Sequence, residues 1–239
     1  MNLRIAPRIV AFNLTVATLM AAGTASADTV FDNTSNGQTD TSTGSTPNTF
    51  MGDGYALLPG TTDITGFDLF PVNLSGTTFI GISATVYVWG SVNTGTVSAS
   101  SPAFSDLLGT YTETSTAPYA SGSYYELAFA LTTPLAVSGA DIGLTFNYKG
   151  TTDGTTYNNV NSLTSLISYG EAPTTGADLF NGYYRNANSE VNGDFTSTLR
   201  SLGQSDQSDA VIIYGTVPEP STLALAALGG LGWFFRRRA

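Results

Sequence analysis

Neither cysteine nor histidine occurs in this 239-residue sequence, and basic residues are scarce. Without these two residue types the chain cannot form a thiol nucleophile, a Ser–His pair or a zinc site built from histidine and cysteine. It also cannot form a disulfide, so the fold must rest on its core alone. We therefore expect a protein that is not an enzyme and that needs no cofactor.

Only Lys149, Arg185 and Arg200 lie between the basic residues at the two ends of the chain, whereas Asp and Glu number 18. The formal net charge is −10. An acidic body repels phosphate backbones, so we expect no nucleic-acid partner. A solvated acidic surface is the ordinary interpretation of this charge, and cation binding is the alternative.

The first 27 residues have the pattern of a signal peptide. Two arginines precede an apolar run over residues 9–22, which is followed by Ala25, Ala27 and Asp28. Small residues at this spacing are typical of a signal-peptidase cleavage site. The pattern predicts an N-terminal signal helix, an exported protein and a mature chain that starts at Asp28. A retained hydrophobic anchor is the alternative.

The last part of the sequence combines three features in order. They are the stretch Val217, Pro218, Glu219, Pro220 and Ser221, the apolar residues 223–235, and the cluster Arg236, Arg237 and Arg238. A helix of 13 residues reaches only about 20 Å, whereas a hydrocarbon core is about 30 Å thick. This predicts a short transmembrane helix suited to temporary anchoring, with the arginines as a cytoplasmic membrane stop. The prolines predict an extended, accessible backbone just outside the bilayer.

These three parts together resemble the PEP-CTERM sorting signal of Gram-negative bacteria. The resemblance implies that an exosortase, a membrane protease-like sorting enzyme, recognises the segment. It also implies an inner-membrane intermediate, a final position at the cell surface or in the extracellular matrix, and a setting of exopolysaccharide or biofilm. It covers about a tenth of the chain and implies no activity for the remainder.

Residues 28–216, between the signal peptide (1–27) and the sorting and membrane segment (217–239), are expected to form one domain. About a quarter of the chain is Ser plus Thr, which favours short strands and turns. Apolar residues alternate with period two in the stretches 79–89, 123–131 and 140–150, and 210–217 reads as a final strand. We predict an all-β fold, a β-sandwich of jelly-roll type.

Two alternatives concern this domain. A parallel β-solenoid is the second candidate fold, although no fixed repeat is visible. The stretches 101–109 and 159–170 have helical features: a Ser-Pro start and a Gly stop in the first, and helically spaced apolar residues in the second. They predict two short helices within the strand-rich domain.

Three groups of residues are candidates for a site. Tyr87 and Trp89 lie on the strand face opposite the aliphatic one, where exposed aromatic rings could stack on sugars. Asp32 and Asn36 resemble part of a calcium loop that lacks its usual acidic residues, so a polar turn is the stronger interpretation. Glu113, Glu126 and Glu171 could supply a glycosidase pair, but no motif supports one.

Two functions follow from these features. The first is a non-catalytic protein of the cell surface or extracellular matrix, sorted by an exosortase and associated with exopolysaccharide. The alternative is a carbohydrate-binding module that uses exposed Tyr and Trp side chains.

Overall fold

The computed structural model describes residues 27–34, 38–41, 50–98, 100–160, 163–186, 203 and 205–218. These residues form sixteen β-strands and, within those ranges, no helix. The strands are β1 (Asp28–Asp32), β2 (Gln38–Thr41), β3 (Phe50–Ala56), β4 (Asp63–Leu69), β5 (Pro71–Asn73), β6 (Gly81–Val92), β7 (Phe104–Ser115), β8 (Ser123–Tyr124), β9 (Leu127–Ala136), β10 (Asp141–Thr151), β11 (Asn158–Asn159), β12 (Leu163–Tyr169), β13 (Ala177–Asp178), β14 (Tyr184–Asn186), β15 (Ser208–Asp209) and β16 (Val211–Thr216).

The strands build three antiparallel sheets. One has the order β1-β16-β4-β9. The largest has the order β13-β3-β10-β6-β7, with β14 also on β3 and β11 on β10. The third has the order β15-β12-β5-β8, with β2 also on β12. The all-β prediction is confirmed, and uniformly antiparallel pairing among the described strands argues against a parallel solenoid.

The main core lies between the largest sheet and the β1-β16-β4-β9 sheet. Alternation places Ile82, Ala84, Val86 and Val88 of β6 on the core side, and all four are fully buried. From the opposite sheet, Phe67 of β4 stacks on Phe129 of β9 with ring centroids 4.6 Å apart. The aliphatic face that alternation predicts for β6 is therefore confirmed as the buried one.

The two predicted helices are wrong. Residues 104–109 belong to β7, which pairs with β6 from Phe104 to Ser115. Residues 163–169 form β12, which pairs with β5, β2 and β15. Apolar residues spaced over so short a stretch fit a strand buried on both faces as well as a helix. Long-range pairing then decides, and Leu163, Leu166 and Ile167 are all buried within a sheet.

The first and last strands of the domain are neighbours. β1 pairs with β16 in antiparallel register, so that Asp28 lies opposite Gly215. Residues 1–26 and 219–239, which include the predicted signal helix and transmembrane helix, lie outside the described residues. In the part of the chain that the structure describes, no helix is long and apolar enough to cross a membrane.

Candidate functional site

The aromatic pair predicted to stack on sugars belongs to a second core on the outer face of the largest sheet. Trp89 is 7% exposed, and its indole N–H donates to the Thr145 hydroxyl at 2.9 Å. Tyr87 is half-buried, with its ring centroid 5.8 Å from that of Phe50. The cluster is completed by Ala103, Phe104, Phe180 and Tyr184.

A sugar stacks on an aromatic plane that faces solvent, and Trp89 offers little of one. The cluster is formed where the segments that carry Phe104 and Phe180 fold over the outer face of the largest sheet and cover Trp89. This burial favours a structural role for Trp89, and glycan stacking by Tyr87 and Trp89 stays an untested alternative.

A cluster of three carboxyl groups lies where β3, β13 and β15 meet. Asp53 and Asp209 are fully buried, and Asp178 is half-buried. Asp53 accepts hydrogen bonds from the backbone N–H groups of Gly54 at 2.7 Å and Asp209 at 2.9 Å. Asp178 accepts one from the Ser208 hydroxyl at 2.8 Å. Neither carboxylate oxygen of Asp209 has a hydrogen-bond partner among the described residues.

Burial raises the pKa of all three groups. It raises the pKa of Asp209 to about 8, although the nearby Ser165 hydroxyl acts in the opposite direction. It raises the pKa of Asp178 to about 7, with Asp206 adding to the rise and the Ser208 hydrogen bond opposing it. The pKa of Asp53 lies well above its usual range through burial, and then through repulsion by Asp209 and Asp178.

Two tyrosines border the carboxyl cluster. Tyr55 donates its hydroxyl to the Asp209 carbonyl at 3.3 Å. The hydroxyl of Tyr148 has no hydrogen-bond partner among the described residues. Burial raises the pKa of both, and the charge of Asp209 contributes to each rise.

Asn33 ties the end of β1 to this cluster. Its side-chain amide donates to the Ser208 hydroxyl at 2.6 Å and to the Asp209 carbonyl at 2.9 Å. Its side-chain oxygen accepts the Val211 N–H at 2.9 Å. One side chain therefore fixes β1, β15 and the start of β16 against one another.

The neighbouring calcium candidate forms a turn. One Asp32 oxygen accepts hydrogen bonds from the Thr34 N–H at 2.7 Å and the Thr34 hydroxyl at 2.8 Å. This is the local bonding of a polar turn. Asn36 lies outside the described residues, so calcium binding by this pair stays an untested and weaker alternative to the turn.

A groove of about 290 Å³ runs between the edge strands β7 and β9. It is lined by Tyr111, Thr112, Glu113 and residues 129–135. β9 bulges here, since Ala130 pairs with Gly66 while Leu135 already pairs with Ile64. The bulge contains Pro134, which has no N–H to donate to a ladder. Hydroxyl groups, one carboxyl group and two aromatic rings thus line a common space.

The three glutamates considered for catalysis lie on separate elements. Glu113 lines the groove, Glu126 precedes β9 and Glu171 follows β12. Within the described ranges, no group of three His, Cys, Asp or Glu residues is placed to hold a metal ion.

The sequence offers Asp206 and Asp209, ahead of the final strand, only as weak candidate calcium ligands, and it does not bring them together with Asp53 and Asp178, although a signal for Asp53 exists. Asp53 alternates with Met51 and Tyr55 along β3, which puts a carboxyl group on a buried face. Tyr148 alternates with Leu144 and Phe146 on the buried face of β10, but alternation does not indicate which residues its hydroxyl meets. The elements that bring Asp178 and Asp209 to Asp53 are too short to show a period.

The predicted processing sites adjoin the paired terminal strands. Ala27 and Asp28 are exposed at the start of β1, while Ala25 lies outside the described residues. β16 ends at Thr216, Val217 is half-buried, and Pro218 is exposed. The rest of the sorting stretch and the arginine cluster lie outside the described residues.

A family model described as the PEP-CTERM protein-sorting motif matches residues 216–238. The resemblance found in the sequence is thus confirmed: the chain carries this motif directly after its last described strand. The motif supports export through the membrane to the cell surface, with processing by an exosortase. No curated protein matches the chain.

Among solved structures, the chain is similar to proteins of infectious bursal disease virus. The structure of the Gt strain shares 14% identity over 90% of this chain, with a TM-score of 0.30. That of the Gx strain shares 13% over 92%, with a TM-score of 0.23. The VP2 subviral particle shares 14% over 90%, with a TM-score of 0.24. The chain spans less than half the length of these proteins, and scores this low carry no argument.

Proposed function

We propose that this protein is a non-catalytic component of the cell surface or extracellular matrix that an exosortase delivers through its C-terminal motif. The observation that carries the proposal is the motif match over residues 216–238, which begins where β16 ends. β16 lies between β1 and β4, so the signal is joined to an internal strand of the domain rather than to a loose linker.

Each part of the motif has its own role in sorting. Val217 to Ser221 form the stretch that the enzyme recognises, and the prolines keep it out of a helix. The apolar segment holds this stretch at the inner membrane transiently, and Arg236 to Arg238 prevent it from slipping through. The leader ahead of Asp28 brings the domain across the membrane first.

A non-catalytic role in exopolysaccharide fits the chemistry of the domain. It has no His or Cys, and its candidate glutamates lie on separate elements. The uniformly antiparallel sheets, in which strands distant in sequence are neighbours, support a jelly-roll arrangement as the finer description of the sandwich.

Glu219→Ala tests the sorting role. In cells that contain an exosortase, the variant should accumulate in the inner membrane with its tail intact, because the central residue of the recognised stretch is gone. Glu171→Ala, which removes an exposed glutamate elsewhere, should reach the surface as the wild type does. Normal surface delivery of Glu219→Ala, measured by cell fractionation, would overturn the proposal.

A second candidate function is carbohydrate binding, which the groove between β7 and β9 favours. Its threonine hydroxyls and Glu113 can hydrogen-bond sugar hydroxyls beside the ring of Tyr111. A glycan array probed with the wild type should identify ligands that Glu113→Gln binds more weakly. Tyr124→Leu, which changes a 62% exposed ring away from the groove, should bind as the wild type does. An array without ligands would remove this candidate and leave the sorting role intact.

A further inference from the structure

Among the residues that the structure describes, no basic group offsets the charge of the carboxyl cluster. The charged groups that shift the pKa values of the cluster are all aspartates: Asp53, Asp178, Asp206 and Asp209. The other groups that act on it are neutral hydrogen-bonding groups, namely the Ser165 and Ser208 hydroxyls and backbone N–H groups. No lysine or arginine of the described residues is among them. The neighbouring tyrosines Tyr55, Tyr148 and Tyr184 are neutral when protonated. An ionised carboxylate buried without a partner costs several kcal/mol, so these groups cannot all carry their charges.

Buried polar atoms without hydrogen bonds indicate which carboxyl group of the cluster is protonated. Both oxygens of Asp209, one oxygen of Asp178 and the hydroxyl of Tyr148 lie outside hydrogen-bond geometry with the described residues, although the Ser165 hydroxyl is close enough to Asp209 and Tyr148 to oppose the rise of their pKa values. Asp53, by contrast, uses each of its oxygens to accept a backbone N–H. A protonated Asp209 would gain an O–H donor while keeping its acceptor oxygen. The orphan atoms therefore suit a proton on Asp209.

A proton fits the site better than a metal ion. Asp209 and Asp53 are fully buried. Within the described ranges, the acidic residues do not form a group of three that could hold a metal. A proton needs neither several convergent ligands nor an open path wide enough for a hydrated cation.

We propose that Asp209 is a proton-binding site of the folded domain, protonated at neutral pH, and that its proton holds β15 and the start of β16 in place. The backbone of Asp209 links the neighbouring elements. Its N–H donates to Asp53, and its carbonyl accepts from Asn33 and Tyr55. β16 begins two residues later and leads into the sorting motif. A charge at Asp209 thus weakens the segment that holds the motif to the domain.

The direction of the pH dependence follows from proton counting. An unfolded aspartate has a pKa of about 3.9, whereas the folded pKa is about 8 for Asp209 and about 7 for Asp178. Between these limits the folded state binds more protons. The contribution of Asp209 and Asp178 to stability is therefore greatest below about pH 4, falls as the pH rises, and levels off above their folded pKa values. Asp153 has the opposite effect on the pH dependence of stability, because hydrogen bonds lower its pKa in the folded state. Its contribution changes only below about pH 4.

The test compares unfolding of the full chain in mild detergent at pH 5, 6, 7 and 9. A Trp233→Phe background leaves buried Trp89 as the fluorescent reporter. In the wild type, Asp209 should lower the folding equilibrium constant about tenfold for each pH unit between pH 5 and 7. Asp209→Asn, which resembles the protonated acid in shape, should not show this part of the pH dependence. Asp141→Asn, at an exposed position on β10, should keep the wild-type slope. Equal slopes for wild type and Asp209→Asn would overturn the proposal.

Two further measurements cover other outcomes. The wild type at pH 7 should show the infrared carbonyl band of a protonated carboxylic acid, more strongly than Asp209→Asn does, and the band should weaken at pH 9. Its absence at pH 7 would overturn the proposal even if Asp209→Asn fails to fold. Calcium chloride should not raise the unfolding midpoint at pH 9 relative to EDTA. Stabilisation by calcium that Asp209→Asn abolishes would show that a cation occupies the site instead.

Discussion

Asn33 shows how much of this fold depends on single polar side chains. It is 4% exposed and makes three hydrogen bonds to Ser208, Asp209 and Val211. No apolar pattern in the sequence identifies such a residue, because its role depends on contacts with residues about 175 positions away. The inward residues of β6 and β10, in contrast, were predictable because alternation alone fixes their side.

Asn33→Ala should lower the free energy of unfolding by about 2–4 kcal/mol, since it leaves buried partners without hydrogen bonds. Asn93→Ala is the matched control. The Asn93 side chain bonds only within its own exposed loop, to Gly95, Thr96 and Ser101 at 2.9–3.3 Å, and its loss should cost less than about 1 kcal/mol. Urea unfolding followed by Trp89 fluorescence measures both. Equal effects would contradict the structural role of Asn33.

At the scale of strands, the outer face of β10 depends on close packing by an aromatic ring. A Cβ added to Gly143 would overlap the ring of Phe104, which is 1% exposed. The glycine therefore allows Phe104, from the start of β7, to lie directly on the sheet. The sequence could not predict this contact, because residues 101–109 had helical end signals and the ring's partner is distant in the chain.

Gly143→Ala should lower the free energy of unfolding by about 1–3 kcal/mol, as expected for overpacking. In Gly139→Ala the nearest atom to the new methyl group is the Asp141 backbone nitrogen at 4.0 Å, so its effect should be small. Thermal unfolding of the two variants compares them. If Gly143→Ala is as stable as Gly139→Ala, the second core tolerates displacement of Phe104 and this account of it is wrong.

At the scale of the whole molecule, the sequence predicted class and targeting better than the site. Composition and alternation identified an all-β domain, and the order of proline, apolar and arginine segments identified the sorting motif. Neither indicates which distant carboxyl groups meet. The net charge predicts a solvated acidic surface, but not all acidic residues lie there, because Asp53 and Asp209 are buried.

The pairing of β1 with β16 gives the whole molecule a simple arrangement for processing. Asp28 lies opposite Gly215, so the predicted leader junction and the start of the sorting motif adjoin each other at one end of the domain. We therefore expect both junctions to be accessible to processing enzymes at this end of the domain. The exposed Ala27, Asp28 and Pro218 support this.

The most direct test of sorting is the intact mass of the surface-located protein from cells that contain an exosortase. We expect a chain that starts at Asp28 and lacks Arg236, Arg237 and Arg238, because the leader and the membrane segment have both been removed. The same protein from cells without the exosortase should retain the arginines and remain in the inner membrane. A surface-located protein whose mass still includes Arg236–Arg238 would show that the segment is a lasting anchor and would contradict this account.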